Sequence, residues 1–570
     1  MSTRFATLSD IEAFETALPL EARLPAATVW DLLVQATTQF PDRRALTFLP
    51  DGMGRVPAQA WRYAELLADC QRAAQAWESL GLQRGHGVGV LLPNRPEVYI
   101  ATYGAQVSHF SCALSPLLGA SALGELLRAM ACQILVTHAD AERPEHWRKV
   151  TEAVVQAGVL THIVVVGMSQ GDPLPDAPEG VRVLDWAALM AEQPANELPP
   201  PRQGDAALAD QVVARFHTGG TTGAPKVAQH SQRNHVYEAW VVAQVLGMTH
   251  EDVCLVGLPL FHVHAAIPAS LTPFSVGAHV VLAGPDGYRN PALLPSLWGT
   301  VERFGVTIFS AVPSVYGQLL QLPAPQGRSR TLRYVLCGSA PLPQAWHEGF
   351  EAHTGARLIE GYGLTEGTCV SALNPPHGES RQGSIGLRLP YQQWKVMLTG
   401  THPPQEAEPG QRGALWVRGP NVFLGYQDPS LTCQVLQSDG WLDTGDLAWL
   451  DEDGYAHLCG RAKDLIKRNG HSVDPLAIED LLLTLPGVAA AAVVGRPDDR
   501  AGEVPVAFVA PQPGVDLDSQ QLLRACLQTL GDPVAQPVAL FKLDQLPLTP
   551  VGKVDKLLLR RWAHSLTTES

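Results

Sequence analysis

The sequence predicts an α/β protein in which a large, multi-lobed N-terminal domain with helix-covered sheets is followed by a small C-terminal α+β domain. Three observations lead to this prediction. Short apolar runs alternate with helical patterns over most of the chain. The 570 residues exceed the size of one ordinary domain. After about Gly460 a separate, short series of predicted helices and strands begins.

The apolar runs predict strands at residues 88–92, 134–137, 163–166, 280–283 and 306–311. Between two such runs, residues 64–80 place Leu66, Cys70, Ala73 and Trp77 on one face of a helix. Strands that alternate with helices are typical of parallel sheets whose faces are covered by helices.

Two breaks interrupt this alternation. Residues 171–204 are rich in Pro, Asp and Glu, and we expect them to form mostly a surface excursion. After Gly460 the pattern predicts a helix at 475–485, strands at 488–494 and 504–509, a helix at 519–530 and a strand at 538–543. These elements suffice for a domain of about 100 residues. We therefore predict one domain over residues 1–460 and a second over residues 461–570.

Composition excludes several classes of protein. The formal net charge of −15 is unfavourable for general nucleic-acid binding, although a few cations and backbone amides suffice to bind a small anion. The nine cysteines form no CxxC pair, so we expect neither a disulfide framework nor a structural zinc site, and reduced thiols fit a cytoplasmic protein. No stretch is long and apolar enough for a transmembrane segment.

A loop rich in Gly and Thr follows the predicted strand at residues 212–216 and gives the strongest local signal. It reads Thr218-Gly219-Gly220-Thr221-Thr222-Gly223-Ala224-Pro225-Lys226. Glycines allow backbone amides to turn inward, and the threonines and the lysine add donors and a charge, which together suit a polyphosphate. The loop is not a Walker A motif, and taken alone it could equally be a flexible turn.

Three further clusters suit a nucleotide. Glu360-Gly361-Tyr362-Gly363-Leu364-Thr365-Glu366 offers a carboxylate for Mg²⁺ and an aromatic face for a base. Asp446 follows a tight turn and precedes Arg461 by fifteen residues. Lys553 lies on a loop framed by Pro550 and Gly552. Each cluster alone also fits a plain turn or a solvated lysine.

The joint order of these clusters resembles the AMP-forming acyl-CoA synthetases of the adenylate-forming superfamily, which also includes luciferases and the adenylation domains of peptide synthetases. The resemblance extends from about Thr28 to Arg561 and includes Leu258-Pro259-Leu260-Phe261-His262-Val263 and Cys337-Gly338-Ser339-Ala340-Pro341. It departs from the family at Gly219, where a serine is common, and at Val227-Ala228, where Gly-Val is usual.

The resemblance implies a ligase that joins a small-molecule carboxylic acid to coenzyme A with ATP and Mg²⁺. By resemblance, the loop from Thr218 to Lys226 binds the β- and γ-phosphates. Thr365 contacts the α-phosphate, and Glu366 binds the Mg²⁺. By the same resemblance, Tyr362 contacts adenine, and Asp446 and Arg461 contact the ribose. Lys553 bridges the acid and the nucleotide. Gly338, Ser339 and Ala340 border the adenine and acyl pockets, with Glu360, Gly361 and Gly363 in the neighbouring turn.

The resemblance also implies a second step in another domain orientation. The C-terminal domain would rotate about a hinge near Lys463 and bring the segment that contains Lys467 and Gly470 to the tunnel for CoA. His262 would gate the acyl pocket, whereas His264 is expected to be structural. We expect a fatty acid as the substrate, and we allow for a homodimer.

Other functions remain open at this point. The chain could load a carrier protein instead of CoA, or it could be a CoA ligase for aryl acids. No carrier domain is fused, and no aspartate near His262 suits an amino-acid substrate. A non-catalytic nucleotide-binding protein would be a different class, since a fold does not prove an activity. The presence of both Glu366 and Lys553 argues against that class.

Overall fold

A computed structural model describes the chain except for residues 1–3, 140–143, 170, 196–207, 219–225, 324–330, 341, 382, 401–403, 513, 531–532, 550–552 and 566–570. Within the described ranges the protein has four β-sheets that alternate with helices, which confirms the α/β prediction. The strands are β1 Arg44–Phe48, β2 Gln59–Arg62, β3 Gly87–Leu91, β4 Ser111–Ala113, β5 Cys132–His138, β6 His162–Val166, β7 Arg182–Asp185, β8 Val212–Thr218, β9 Lys226–Ser231, β10 Val253–Val256, β11 His279–Leu282, β12 Ile308–Ala311, β13 Tyr334–Cys337, β14 Arg357–Gly363, β15 Val370–Leu373, β16 Leu387–Arg388, β17 Gln393–Met397, β18 Gly413–Arg418, β19 Gly425–Tyr426, β20 Leu442–Leu450, β21 Ala456–Arg461, β22 Ile466–Arg468, β23 His471–Val473, β24 Val488–Asp498, β25 Gly502–Pro511 and β26 Ala539–Lys542.

The helices lie mostly between consecutive strands. They are α1 Leu8–Ala17, α2 Val29–Gln39, α3 Tyr63–Ser79, α4 Pro96–Ser108, α5 Ala120–Ala129, α6 Pro144–Ala157, α7 Trp186–Ala191, α8 Gln232–Leu246, α9 Val263–Ala266, α10 Thr272–Ser275, α11 Leu293–Phe304, α12 Pro313–Leu320, α13 Gln344–Thr354, α14 Pro429–Thr432, α15 Pro475–Thr484, α16 Ser519–Thr529 and α17 Lys556–Ser565. A single π-helical turn, Ile267–Leu271, joins α9 to α10.

Two large sheets build the N-terminal part of the chain. In the part that the structure describes, one sheet has the strand order β16-β15-β14-β13-β12-β10-β11-β1-β2 and the other the order β19-β9-β8-β4-β3-β5-β6-β7. Their central strands pair in parallel, for example β12 with β13 and β3 with β5. Such strands are covered on both faces, and all five residues of β3 are buried.

Two smaller sheets follow. The strands β17-β18-β20-β21 form an antiparallel sheet, and β23-β22-β25-β24 with β26 beside β25 form the sheet of the C-terminal part. The chain passes from the first to the second between Arg461, the end of β21, and Ile466, the start of β22. The short turn Ala462–Asp464 and Leu465 lie between them. The boundary predicted after residue 460 falls beside this turn and stays a prediction.

The sequence patterns locate most elements to within two residues, and the helix predicted at residues 64–80 is α3. Its apolar face, with Cys70, Ala73 and Trp77 at 1% exposure or less, packs into the main core. Residues 171–195, the described part of the expected surface excursion at 171–204, lie mostly at the surface as expected, with only Pro178 and Leu189 buried. They also contribute β7, an edge strand paired with β6, and α7, whose Leu189 is buried.

Candidate active site

Three side chains from three strands meet at the carboxyl end of β14. The Tyr362 hydroxyl of β14 donates a hydrogen bond of 2.5 Å to Oδ2 of Asp446 in β20, and Nε of Arg461 in β21 lies 2.9 Å from Oδ1 of the same carboxylate. Asp446 and Arg461 stand opposite each other in the ladder between β20 and β21, so the sheet register sets their pairing. Asp446 is only 4% exposed, and these two partners compensate the cost of burying its charge.

The turn Thr365–Gly367 follows β14 and presents Glu366. Two contacts to backbone carbonyls fix the turn: His230 Nε2 donates to the Thr365 carbonyl at 2.8 Å, and the Phe423 amide donates to the Glu366 carbonyl at 3.0 Å. The Tyr426 hydroxyl donates to Oε1 of Glu366 at 2.5 Å. The carboxylate is therefore held by one oxygen, and Oε2 has no hydrogen-bond partner among the described residues.

His230 and His235 form a buried polar pair next to this turn. Nδ1 of His230 lies 3.1 Å from Nε2 of His235, and burial lowers the pKa of His230 to about 4, with the Thr365 carbonyl opposing the shift. A neutral His230 that donates from Nε2 to a carbonyl must accept at Nδ1, so His235 donates to it. These hydrogen bonds anchor the Thr365–Gly367 turn to the β9–α8 connection.

Thr218 and Lys226 are the two described ends of the predicted phosphate loop. They pair across the antiparallel ladder of β8 and β9, so the ladder closes the base of the loop. The Lys226 ammonium lies 5.2 Å from the centre of the Tyr426 ring, whose hydroxyl binds Glu366. The remaining predicted members, Gly219, Gly220, Thr221, Thr222 and Gly223, lie outside the described residues.

Lys553 reaches the same cleft from the C-terminal part of the chain. Burial lowers the pKa of its ammonium, the charge of Arg461 lowers it further, and the carboxylates of Asp446 and Glu366 oppose this. The ammonium therefore lies within electrostatic range of the two carboxylates that the sequence assigned to ribose and Mg²⁺. The structure brings together these distant residues in one site.

The segment that carries Lys553 is anchored on both sides. Residues Leu548 and Val554 form a β-bridge, and the Thr549 amide donates to the Lys553 carbonyl at 2.7 Å. Lys556, the first residue of α17, forms an ion pair of 2.6 Å with the buried Glu479 of α15. The position of Lys553 thus depends on the fold of the C-terminal part.

Two histidines lie at the start of α9. His262 precedes α9 and its Nδ1 accepts a hydrogen bond from the His264 amide at 3.4 Å. Burial and then the Lys553 charge lower the pKa of His262 to about 3 and that of His264 to about 4. Both rings are neutral at pH 7. His264 Nε2 lies 2.6 Å from the Ser310 hydroxyl.

Gly338 follows β13 and lies beside these histidines. A Cβ at this position would sit 3.4 Å from the Gly361 carbonyl and 3.7 Å from Cε1 of His264. Ser339 has a φ of +76°, a strained conformation of the kind that clusters at functional sites. Ala340 is exposed. Gly338, Ser339 and Ala340 thus lead from the vicinity of His264 to the surface.

The neighbouring turn is packed too tightly for side chains. A Cβ at Gly363 would lie 1.5 Å from the Cys369 carbonyl, and one at Gly361 would lie 2.6 Å from Leu373. Glu360 is buried, and burial raises its pKa to about 7, which the hydrogen bond from the Leu342 amide opposes. Glu360 therefore supports the turn from inside, and it does not share the hydrogen bonds of Asp446 or Glu366.

The predicted CoA segment lies in the hairpin of β22 and β23. Lys467 Nζ donates to the Ser472 hydroxyl at 2.5 Å, and its amide donates to Glu503 at 2.9 Å. Gly470 has a φ of +81° in the turn, which favours glycine. Among the described residues, these hydrogen bonds do not connect Lys467 to Tyr362, Asp446 or Glu366.

The donor set fits the binding of Mg²⁺ through one carboxylate. Mg²⁺ is commonly held by one or two carboxylates together with substrate phosphates and water. Glu366 offers Oε2, whereas no group of three His, Cys, Asp or Glu side chains that could hold a metal occurs in the described ranges. The residues therefore suit a metal that arrives with the nucleotide.

Sequence reasoning missed His230, Ser310 and Tyr426. His230 and Tyr426 bind the predicted site residues Thr365 and Glu366 across 135 and 60 positions of sequence, and Ser310 binds His264, next to His262, across 46. The Gly425-Tyr426 pair of β19 was the available signal, but a lone aromatic residue after a glycine is too common to identify a site. Among the described residues, no helix is long and apolar enough to cross a membrane.

Comparison with known proteins agrees with this geometry. The sequence family described as AMP-binding enzyme matches residues 33–427, and the AMP-binding enzyme C-terminal domain matches residues 477–553. The chain is 37% identical over 561 residues to the marinolic acid–CoA ligase of a Pseudoalteromonas species, covering 97% of this chain and 84% of that protein. It is 31% identical to the sulfoacetate–CoA ligase of Cupriavidus necator, covering 93% and 97%.

A solved structure resembles the whole chain. The ATP-bound structure of MatB from Rhodopseudomonas palustris superposes with a TM-score of 0.79 at 26% identity, covering 94% of this chain and 98% of that one. The similarity therefore spans both the large N-terminal part and the smaller C-terminal part.

Proposed function

Since the chain belongs to the AMP-binding enzyme family and is an AMP-forming carboxylic acid–CoA ligase, we propose that the acid it activates is a fatty acid. The relatives act on different acids, so the proposal depends on the acyl side of the cleft. One observation carries it: a small apolar cavity is lined in part by Ser310, the residue that contacts His264.

The cavity lies between the large sheet and the π-helical turn. It is lined by Met248, Cys254, Leu255, Pro268, Ala269, Ile308, Phe309, Ser310 and Leu336. Apart from Ser310, the lining is apolar or weakly polar and carries no charge. The cavity has a volume of only about 10 Å³, about the room for one water molecule, so its lining would have to move apart to admit an aliphatic chain. Burial of each methylene there would then contribute roughly 0.8 kcal/mol.

We assign the adenylation roles from the positions of the side chains. A carboxylate oxygen of the acid attacks the α-phosphorus of ATP, an acyl–O–P bond forms, and pyrophosphate leaves. Lys553 compensates the repulsion between the carboxylate and the α-phosphate. Asp446, held by Tyr362 and Arg461, accepts from the ribose hydroxyls. The Thr365 hydroxyl contacts the α-phosphate.

The phosphates that leave as pyrophosphate would lie against the loop between Thr218 and Lys226. Lys226 supplies the positive charge there. Glu366 would hold Mg²⁺, which when bound neutralises phosphate charge and stabilises the leaving group. The Tyr426 hydroxyl orients that carboxylate through Oε1 and leaves Oε2 available.

In the second half-reaction the CoA sulfur attacks the acyl carbonyl carbon, the thiol proton is lost and AMP leaves. We propose that the C-terminal part, residues 461–570, rotates relative to residues 1–460 about Lys463. The short Ala462–Asp464 turn between two sheets supports this hinge. The rotation would remove Lys553 from the cleft and bring Lys467 and Gly470 to the CoA tunnel.

The proposal is tested by the formation of CoA thioesters from a panel of acids, read by mass. The panel contains saturated fatty acids from C4 to C16, benzoate and 4-coumarate, each with ATP, Mg²⁺ and CoA. A preference for fatty acids, measured as kcat/KM, is the expected result. A preference for the aromatic acids would contradict the proposed substrate and leave the CoA-ligase activity in place.

A further inference from the structure

The turn that carries Thr365 and Glu366 is held through its backbone by a buried histidine. His230 donates from Nε2 to the Thr365 carbonyl at 2.8 Å. The Thr365 hydroxyl, which the proposed function assigns to the α-phosphate, takes part in no hydrogen bond among the residues that the structure describes. The position of this hydroxyl therefore depends on the backbone that His230 holds.

His230 is itself oriented by His235. The Thr365 carbonyl can only accept a hydrogen bond, so the neutral His230 ring donates from Nε2 and accepts at Nδ1 from Nε2 of His235, 3.1 Å away. The two histidines are only 0% and 2% exposed, and the Phe216 ring of β8 lies 5.1 Å from the His230 ring. One arrangement of donors thus satisfies the pair, and it points a fixed N–H at the turn.

A second side chain of the same β9–α8 unit holds the far end of the turn. Glu238 of α8 is buried and accepts a hydrogen bond from the Val370 amide. Between the two points of contact, Thr368 has a φ of +64°, a strained conformation for a residue other than glycine. Such a conformation persists only where its surroundings hold it, and here β9 and α8 hold both ends of the segment.

The strand that carries His230 also positions the other charged groups of the phosphate site. β9 begins at Lys226 and pairs with β19, whose Tyr426 hydroxyl binds Glu366. The Lys226 ammonium lies 5.2 Å from the centre of the Tyr426 ring. One strand therefore connects the lysine of the phosphate loop with both residues of the turn, with Glu366 through Tyr426 and with Thr365 through His230.

We propose that His230, oriented by His235, is a positioning residue for adenylation. Through the Thr365 backbone it places the Thr365 hydroxyl and the Glu366 carboxylate against the bound phosphates. The inference rests on the roles proposed above for Thr365 and Glu366. Because His230 is sealed beside the turn, it acts through the backbone rather than on the substrate. A displaced turn should slow the attack on the α-phosphorus more than it weakens the binding of ATP.

The test uses variants of the full chain and the acid of the panel above that gives the highest kcat/KM. His230→Leu cannot donate to the carbonyl, so kcat for pyrophosphate release should fall by about tenfold to 100-fold, as expected for misplaced groups. The Kd for ATP with Mg²⁺, measured by calorimetry without acid, should change by less than about threefold, because uniform binding is retained. His230→Gln can donate to the carbonyl and accept from His235, so it should restore most of kcat.

A matched histidine separates positioning from stability. His347 of α13 is buried, and its Nε2 donates at 3.1 Å to the carbonyl of Leu358, which lies at the end of β14 away from the turn. His347→Leu should lower Tm about as much as His230→Leu and keep the wild-type kcat. His235→Leu removes only the partner of His230 Nδ1 and should lower kcat in part. This variant keeps the inference testable if His230→Leu does not fold.

Two variants within the turn separate this inference from the proposed function. If Thr365→Val and Glu366→Gln both keep the wild-type kcat, the roles proposed for these residues are wrong, and the inference fails with them. A loss of kcat in these two variants, together with the wild-type kcat in His230→Leu, or in His235→Leu where the first does not fold, would overturn the inference alone. An equal loss of kcat in His347→Leu would also overturn it, since the effect would then be one of stability.

Discussion

The Tyr362 hydroxyl and the Asp446 carboxylate are joined by a 2.5 Å hydrogen bond in a buried position, so the group proposed for the ribose is oriented by the residue proposed for adenine. Arg461 holds the second oxygen of the carboxylate. The nucleotide residues therefore form one unit, and a change in either partner should affect ATP more than the acid.

Tyr362→Phe is expected to raise the KM for ATP by about tenfold, because a hydrogen bond to a charged group contributes about 1.5–3 kcal/mol. The KM for the acid should change little. The measurement is initial rate against ATP at saturating acid. Tyr455→Phe is the matched control, since the Tyr455 hydroxyl donates to the Glu379 carbonyl outside the site. A larger effect on the acid than on ATP would show that Asp446 does not serve the nucleotide.

Mg²⁺ should be required for adenylation, because Glu366 offers a carboxylate oxygen and its partner Tyr426 has the Lys226 ammonium 5.2 Å from the centre of its ring. Glu366→Gln should shift the Mg²⁺ dependence of pyrophosphate release to higher concentration. Glu379→Gln, at a more exposed carboxylate, should leave the dependence unchanged. Full activity after the metal has been chelated would exclude this role.

The buried Glu360 predicts a specific dependence of stability on pH. Its pKa is raised from 4.5 to about 7, so between these values the folded state holds a proton that the unfolded state has lost. The free energy of unfolding therefore decreases as pH rises through this window, by roughly 3 kcal/mol from this group. Glu360→Gln keeps the acceptor for the Leu342 amide and removes the titration.

The measurement is the difference in Tm between Glu360→Gln and the wild type at pH 5 and at pH 8. We expect the variant to gain stability relative to the wild type at the higher pH. A difference that stays the same at both pH values would mean that the Glu360 carboxyl is not protonated in the folded protein near neutrality.

The sequence predicts the regular elements well where one face or both faces are buried. The apolar run of β3 and the one-sided helix α3 each follow from a single local pattern. The strand β7 was missed because its segment is rich in Pro, Asp and Glu, and only its pairing with β6 identifies it as a strand. An edge strand has one neighbour and leaves a weaker pattern.

Prediction of the site has the same limit, because it depends on local sequence patterns. Asp446, Glu366 and Lys553 could be selected from motifs whose order resembles a known family. The side chains that hold them could not, because Tyr426 and His230 contact Glu366 and Thr365 only after the sheets have formed. His264 was expected to be structural, and its Nε2 lies 2.6 Å from the Ser310 hydroxyl, a contact that no local pattern predicts.

Lys463→Pro should uncouple the two half-reactions. Lys463 lies in the turn between β21 and β22, and proline fixes φ and removes an amide donor. One domain orientation should then be locked, so that acyl-AMP still forms while thioester formation falls. Lys463→Ala is the control that removes the charge without the constraint. An equal loss of both steps in Lys463→Pro would contradict a hinge at this position.

The most direct test concerns Lys553 of the C-terminal part, whose ammonium lies within electrostatic range of the carboxylates of Asp446 and Glu366. We measure pyrophosphate release from acid and ATP, and separately the conversion of supplied acyl-AMP and CoA to acyl-CoA. The control is Lys542→Ala, which removes an exposed lysine paired with Asp516 in the same part of the chain. Lys553→Ala should lower adenylation by about 100- to 1000-fold, as expected when a charge that stabilises the transition state is removed. It should spare most of the thioester step, for which Lys553 would have left the cleft. Near-normal pyrophosphate release by Lys553→Ala would contradict the assigned role.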